Sequence, residues 1–345
     1  MKKMTLLSLI ILFSTVFVPL KAEALKLVTY TFEGETRIGA LLDDNKVVDL
    51  NRAYQTLLQQ RGDPRPEAMA AAVVPSTMLE FLQGGERSLE AAREALAFVQ
   101  KESASKLKAE GILRDLASVK LEAPIPRPSK ITNLGLNYRD HAAETGQEVP
   151  KVPLLFGVYP SAVIGPGDTI LIPLGSEEPD YEAELGVVIG KRGKHIPPEK
   201  ALDYIAGYLI VNDVSARDWQ RRTSQFLIGK TPDTFKPMGP YLVTKDEIPN
   251  PHNLTIKLWV NDELRQNSNT GQQVFKIWDV IAYISNIWTL EPGDIISTGT
   301  PAGVGQARKP PVFLKPGDRV RIEISGLGVL ENPVMAEQQV GEEGG

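Results

Sequence analysis

The stretch Asp180-Tyr181-Glu182-Ala183-Glu184-Leu185-Gly186-Val187-Val188-Ile189 decides how the chain is read. Its second half is a run of β-branched residues suited to a buried strand. Its first half puts acids at alternate positions. Residues two apart on a strand point to one face, so Asp180, Glu182 and Glu184 are expected to crowd three carboxylates together. Burial makes such like charges costly unless a cation joins them. Hard oxygen ligands suit Mg²⁺, Mn²⁺ or Ca²⁺ better than Zn²⁺. The competing reading is a solvated acidic strand edge. A second segment bears on the choice: the apolar run Tyr208-Leu209-Ile210-Val211 ends in Asn212-Asp213-Val214-Ser215. An Asp just past a buried strand can supply a third ligand, whereas Asp213 or Ser215 could equally cap a following helix.

Outward from this pair the chain divides in character. Leu27–Tyr30, Ile38–Leu42 and Val47–Leu50 read as strands. Four helices are expected next, over 52–60, 66–72, 76–82 and 88–101, with Pro66 at a first helical position and Ser76 and Ser88 as N-caps. Pro124, Pro126 and Pro128 mark a boundary. Beyond them short β-type runs dominate, with one strong helix over 273–287. The expected class is α+β and β-rich, with a small N-terminal α/β domain over 25–120, a catalytic domain over 125–335 and a flexible tail over 336–345.

Lys2 and Lys3 precede an apolar run from Leu6 to Val18, and Ala22-Glu23-Ala24 follows. This pattern predicts a signal peptide over 1–24, cleaved after Ala24, an exported and periplasmic protein, and no membrane anchor after cleavage. The absence of cysteine suits an oxidising compartment and excludes disulfides, zinc–thiolate sites and a cysteine nucleophile. A net charge of −5 over 345 residues, without a basic patch, argues against nucleic acid.

His141 stands out among three histidines. If Asp140 begins a helical turn, His141 and Glu144 share a face, and a carboxylate-oriented His is a competent general base. An ordinary surface His–Glu pair is the alternative. Gly229-Lys230-Thr231 lacks the earlier glycine of a phosphate loop, since position 224 is Ser. Lys230 remains a candidate partner for an anion. The nucleophile elbow, the zinc-protease motif and the dinucleotide glycine fingerprint are all missing.

In order, Gly135-Leu136-Asn137-Tyr138-Arg139-Asp140-His141, Asp180–Leu185, Gly207-Tyr208 with Asn212–Asp218, Gly229-Lys230 with Asp233–Pro240, and Thr298–Gly305 resemble the fumarylacetoacetate hydrolase family. The resemblance implies a mixed β-roll, commonly a homodimer, with Mg²⁺ or Mn²⁺ on Glu182, Glu184 and Asp213. It implies a His141–Glu144 dyad on a lid, Lys230 stabilising an enolate, and Tyr138, Arg217 and Thr300 contacting substrate. The substrates implied are small 2-oxo or 2,4-dioxo acids. A C–C hydrolase of acylpyruvates such as fumarylpyruvate is the leading expectation. A decarboxylase or isomerase of oxaloacetate or a 2-hydroxy-dienoate is the second, and an exported binding protein without turnover the third. Family members often carry Cys where Asn133 and Lys236 stand, and Lys where Val158 stands.

Overall fold

The computed structural model describes residues 25–338. The leader expected over 1–24 and the end of the expected tail, 339–345, lie outside these residues. The fold is α+β and strand-rich, as expected. A large mixed sheet runs through both halves of the chain, and a five-stranded sheet faces it. The apolar faces of the two meet in a core that includes Leu185, Val187, Ile210, Ile256 and Ile322. Among the described residues no helix is long and apolar enough to cross a membrane.

The strand Ala183–Ile189 is buried along its whole length, as its β-branched run requires. It pairs antiparallel with Ile205–Asn212, Ala183 opposite Asn212 and Glu184 opposite Val211. This register carries Asp213, one residue beyond the strand, back beside Glu182. The Asp213 N–H donates to the Glu182 carbonyl at 2.9 Å. On its other edge Ala183–Ile189 pairs with Ile295–Ser297, which lies parallel to Ile131–Gly135. The segments carrying the site motifs are therefore neighbours in one sheet.

The N-terminal strands are not a sheet apart. Lys26–Phe32 pairs with Lys236–Thr244, so strands from both sides of the proline-rich stretch share hydrogen bonds. The helices pack on a second apolar cluster beneath that sheet. Two caps differ from expectation. Thr77, not Ser76, caps Met78–Gln83. The helix expected from Ser88 begins at Gly85, and the Ser88 hydroxyl instead donates to the Val73 carbonyl at 2.6 Å. At the other end, Gly328–Ala336 runs as a strand parallel to Ile170–Ile172, so residue 336 belongs to the sheet rather than to a tail.

Candidate active site

The expected row of three acids is broken by the backbone. Pro179–Asp180 forms a separate small ladder with Ser215–Ala216, and Glu182 lies between that ladder and the strand that begins at Ala183. Asp180 therefore leaves the cluster. Its carboxylate accepts from the N–H groups of Tyr181, Gly305 and Gln306 and from Arg217 Nε, at 2.7–3.1 Å. A fully buried anion needs such partners. Glycine is required at 305, because a Cβ would lie 2.6 Å from Asp180 Oδ1.

Glu182, Glu184 and Asp213 do converge. All three are buried, and one carboxylate oxygen from each lies within 4.8 Å of the others. Oxygens bound to one divalent ion can be at most two metal–oxygen distances apart, roughly 4–5 Å for Mg²⁺ through Ca²⁺. The donor set therefore fits a single hard divalent cation. The solvated-edge reading fails on burial. The helix-cap reading fails too: the helix after Asp213 starts at Arg217, with Ala216 at its cap and no side-chain capping bond.

Cations surround the acids. Lys230 Nζ donates to Glu182 Oε2 at 2.7 Å and Asp213 Oδ2 at 2.9 Å. Arg217 Nη2 donates to Glu182 Oε1 at 2.6 Å. Lys236 Nζ donates to Asp213 Oδ1. Glu184 Oε2 accepts instead from the Ser297 hydroxyl, at 2.5 Å, and the Gly299 N–H, at 3.0 Å. The two glutamates respond in opposite directions. Burial works to raise Glu182, but Lys230 and Arg217 outweigh it and hold the carboxyl at about 2. Burial pushes Glu184 up to about 8, reinforced by the charges of Asp213 and Glu182. Burial also opposes the charge of Lys230, yet Asp213 and Glu182 hold it above its ordinary value. At Lys236 burial prevails and lowers it.

His141 and Glu144 lie on the helix Arg139–Thr145, with His141 Nδ1 and Glu144 Oε1 2.8 Å apart. Glu144 Oε2 accepts from the Gly303 N–H at 2.8 Å, and Asp140 accepts from the Ser268 hydroxyl at 2.5 Å. The short helix is thereby tied across a cavity of about 70 Å³ lined by His141, Glu182, Arg217, Phe226, Lys230 and Thr300. A larger cavity, about 420 Å³, lies near Leu89 and Arg93, away from the carboxylates. The Thr300 hydroxyl is already engaged, donating to the Ala183 carbonyl and accepting from Gln266 Nε2, both at 2.9 Å. Tyr138 is fully buried and does not line the cavity, its hydroxyl accepting from Gln273 Nε2 at 3.4 Å. Val158 is a core residue opposite Ile131. Sequence reading missed the service of Arg217 to Asp180 and Glu182 and the place of Lys236 beside Asp213. A lysine between Phe235 and Pro237 in an otherwise apolar run was the available signal.

Residues 130–335 match the model of the fumarylacetoacetate (FAA) hydrolase C-terminal domain. The chain belongs to that family, and it is an enzyme of it. It is 51% identical over 263 residues to a rat (Rattus norvegicus) protein, mitochondrial oxaloacetate tautomerase Fahd2a, covering 76% of this chain and 80% of that one. It resembles the solved fumarylacetoacetate hydrolase of psychrophilic Exiguobacterium antarcticum, at 32% identity and a TM-score of 0.72 over 91% of this chain and all of that one. Maleylpyruvate hydrolase of Sphingobium sp. SYK-6, solved with manganese(II) and pyruvate, matches at 30% identity with a TM-score of 0.66, over 91% and 100% of the two chains. The rat relative and its frog and human counterparts are named as mitochondrial, which overturns the expectation of a periplasmic, exported enzyme. The leader misled for a physical reason. Basic, acid-poor N-termini serve more than one targeting route, and charge with hydropathy does not separate them.

Proposed function

We propose that this enzyme interconverts the keto and enol forms of oxaloacetate, or of a closely similar 2-oxo diacid, with Mg²⁺ or Mn²⁺ held by Glu182, Glu184 and Asp213. The observation that carries this reading is the 51% identity to an oxaloacetate tautomerase. It favours the isomerase alternative over C–C hydrolysis, the leading expectation from sequence. Manganese in the maleylpyruvate hydrolase neighbour supports the choice of metal. When bound, the ion supplies Lewis acidity toward a 2-oxo carboxylate.

The chain's own residues account for the rest. With Nδ1 of His141 committed to Glu144, Nε2 is the nitrogen left to exchange a proton with C3 of the substrate. Lys230 reaches the cavity wall and places positive charge where negative charge grows on the 2-oxygen as C3 loses its proton. Arg217 orients Glu182 through one arm and Asp180 through another. The tautomerisation is balanced without water: one proton leaves C3 and one arrives at the 2-oxygen.

The test follows enol decay by ultraviolet absorbance, with pyruvate assayed in parallel. The Mn²⁺-loaded protein should speed equilibration of enol and keto oxaloacetate while releasing no more pyruvate than buffer with Mn²⁺ does. No acceleration over buffer with Mn²⁺ sinks the reading. Hydrolysis of acylpyruvates faster than tautomerisation would favour the second reading, which rests on the maleylpyruvate hydrolase neighbour and the same His141–Glu144 pair.

A further inference from the structure

We propose that Lys236 competes with the divalent ion for Asp213, so that this site holds its metal loosely until an anionic ligand arrives. The inference rests on the metal site proposed above and adds to it a residue that reading does not use.

Lys236 is completely buried and reaches Asp213 Oδ1, while Lys230 holds Asp213 Oδ2 at 2.9 Å. Both oxygens of one ligand are thus taken by amino groups. Glu182 is in the same position, with Lys230 on Oε2 and Arg217 on Oε1. With every carboxylate ionised, as ligation of a divalent ion requires, Glu182, Glu184, Asp213 and Asp180, which shares Arg217 with Glu182, face two lysines and an arginine, so the protein's own cations already offset all but one of these charges. A divalent ion entering a buried cluster whose charges are already largely offset leaves an excess of positive charge, and at short range in a poorly screened interior that is unfavourable. Lys230 and Arg217 line the cavity, where a substrate carboxylate can meet them. Lys236 does not line it, and its described hydrogen bond is to Asp213. It therefore acts on the ion through Asp213. An anionic ligand would offset the excess positive charge that the metal brings, so metal and anion should bind cooperatively.

The test uses the full chain stripped with chelator and titrated with Mn²⁺ by calorimetry, alone and with oxalate. Lys236→Met keeps the volume and removes the amino group. It should bind Mn²⁺ about tenfold or more tightly than wild type, in line with removing one nearby positive charge. Oxalate should then enhance Mn²⁺ binding less than it does in wild type. Lys236→Arg, which keeps the charge, should bind Mn²⁺ no more tightly than wild type. If Lys236 merely holds Asp213 in place, Lys236→Met will bind Mn²⁺ as wild type does or more weakly, and the proposal is overturned. Lys236→Gln provides a second neutral variant. Failure of both neutral variants to fold, even with Mn²⁺ present, also overturns it, because the ion should replace the lost charge. Absence of Mn²⁺ binding in wild type and variants alike would instead bring down the metal site, and this inference with it.

Discussion

Two regions of the cavity are built in contrasting ways. The three carboxylates sit on or next to central strands, inside a sheet whose pairing they cannot leave without breaking the core. The His141–Glu144 pair sits on a seven-residue helix held by a few polar contacts, chief among them Glu144 to the Gly303 N–H and Asp140 to Ser268. A metal site needs fixed geometry, and strands supply it. A short helix outside the sheet is held by fewer cooperative bonds than a central strand and can open locally at lower cost. Under the proposed function the difference separates holding the ion from moving the proton, and mutations should separate them too.

The largest effect is expected at the strands. Glu182→Ala removes a ligand and leaves Lys230 and Arg217 without a partner on that side. Tautomerase activity should fall to background even at high Mn²⁺, measured by enol decay; substantial residual turnover would mean that the ligand assignment is wrong. On the short helix, His141→Ala should lower kcat by about 10²- to 10⁴-fold while leaving Mn²⁺ affinity at its wild-type value. A matching loss of metal binding would show that the two regions are not separable.

A pH effect comes next. In the metal-free protein Glu184 is pushed up to about 8, above its ordinary value of 4.5. Between those values the folded chain binds more protons than the unfolded one, so stability falls as pH rises through that window. A bound ion replaces the proton. Thermal melts of chelated protein should therefore drop in midpoint as pH rises from about 6 to 8, and saturating Mn²⁺ should flatten the trend. Equal slopes with and without metal would contradict this. The smallest effect belongs to Ser268→Ala. It removes one hydrogen bond to that short helix, worth about 1 kcal/mol, and should raise KM a few-fold with little change in overall stability. A change confined to Tm would show that the contact serves the fold alone.

The central carboxylate cluster was legible because its determinants are local. Glu182 and Glu184 precede an unmistakable buried run, and Asp213 ends another. Ordered motifs also made the family legible. Asp180 misled because strand alternation assumes an unbroken strand, and two of its actual partners, Gly305 and Gln306, come from about 125 residues downstream. Likewise the pairing of Lys26–Phe32 with Lys236–Thr244 crosses more than 200 residues, so the proline-rich stretch read as a boundary although strands on its two sides share one sheet. Lys236 was visible only as an odd residue, because what it touches depends on that long-range packing. The compartment was misread from a terminal segment whose composition is shared by several destinations.

The most direct test of the account is a calorimetric titration of chelator-treated wild type, Glu182→Ala and His141→Ala with Mn²⁺. One ion per chain in wild type and His141→Ala, and none in Glu182→Ala, is the expected result. Equal binding by Glu182→Ala and wild type would contradict the claim that these strand carboxylates hold the metal.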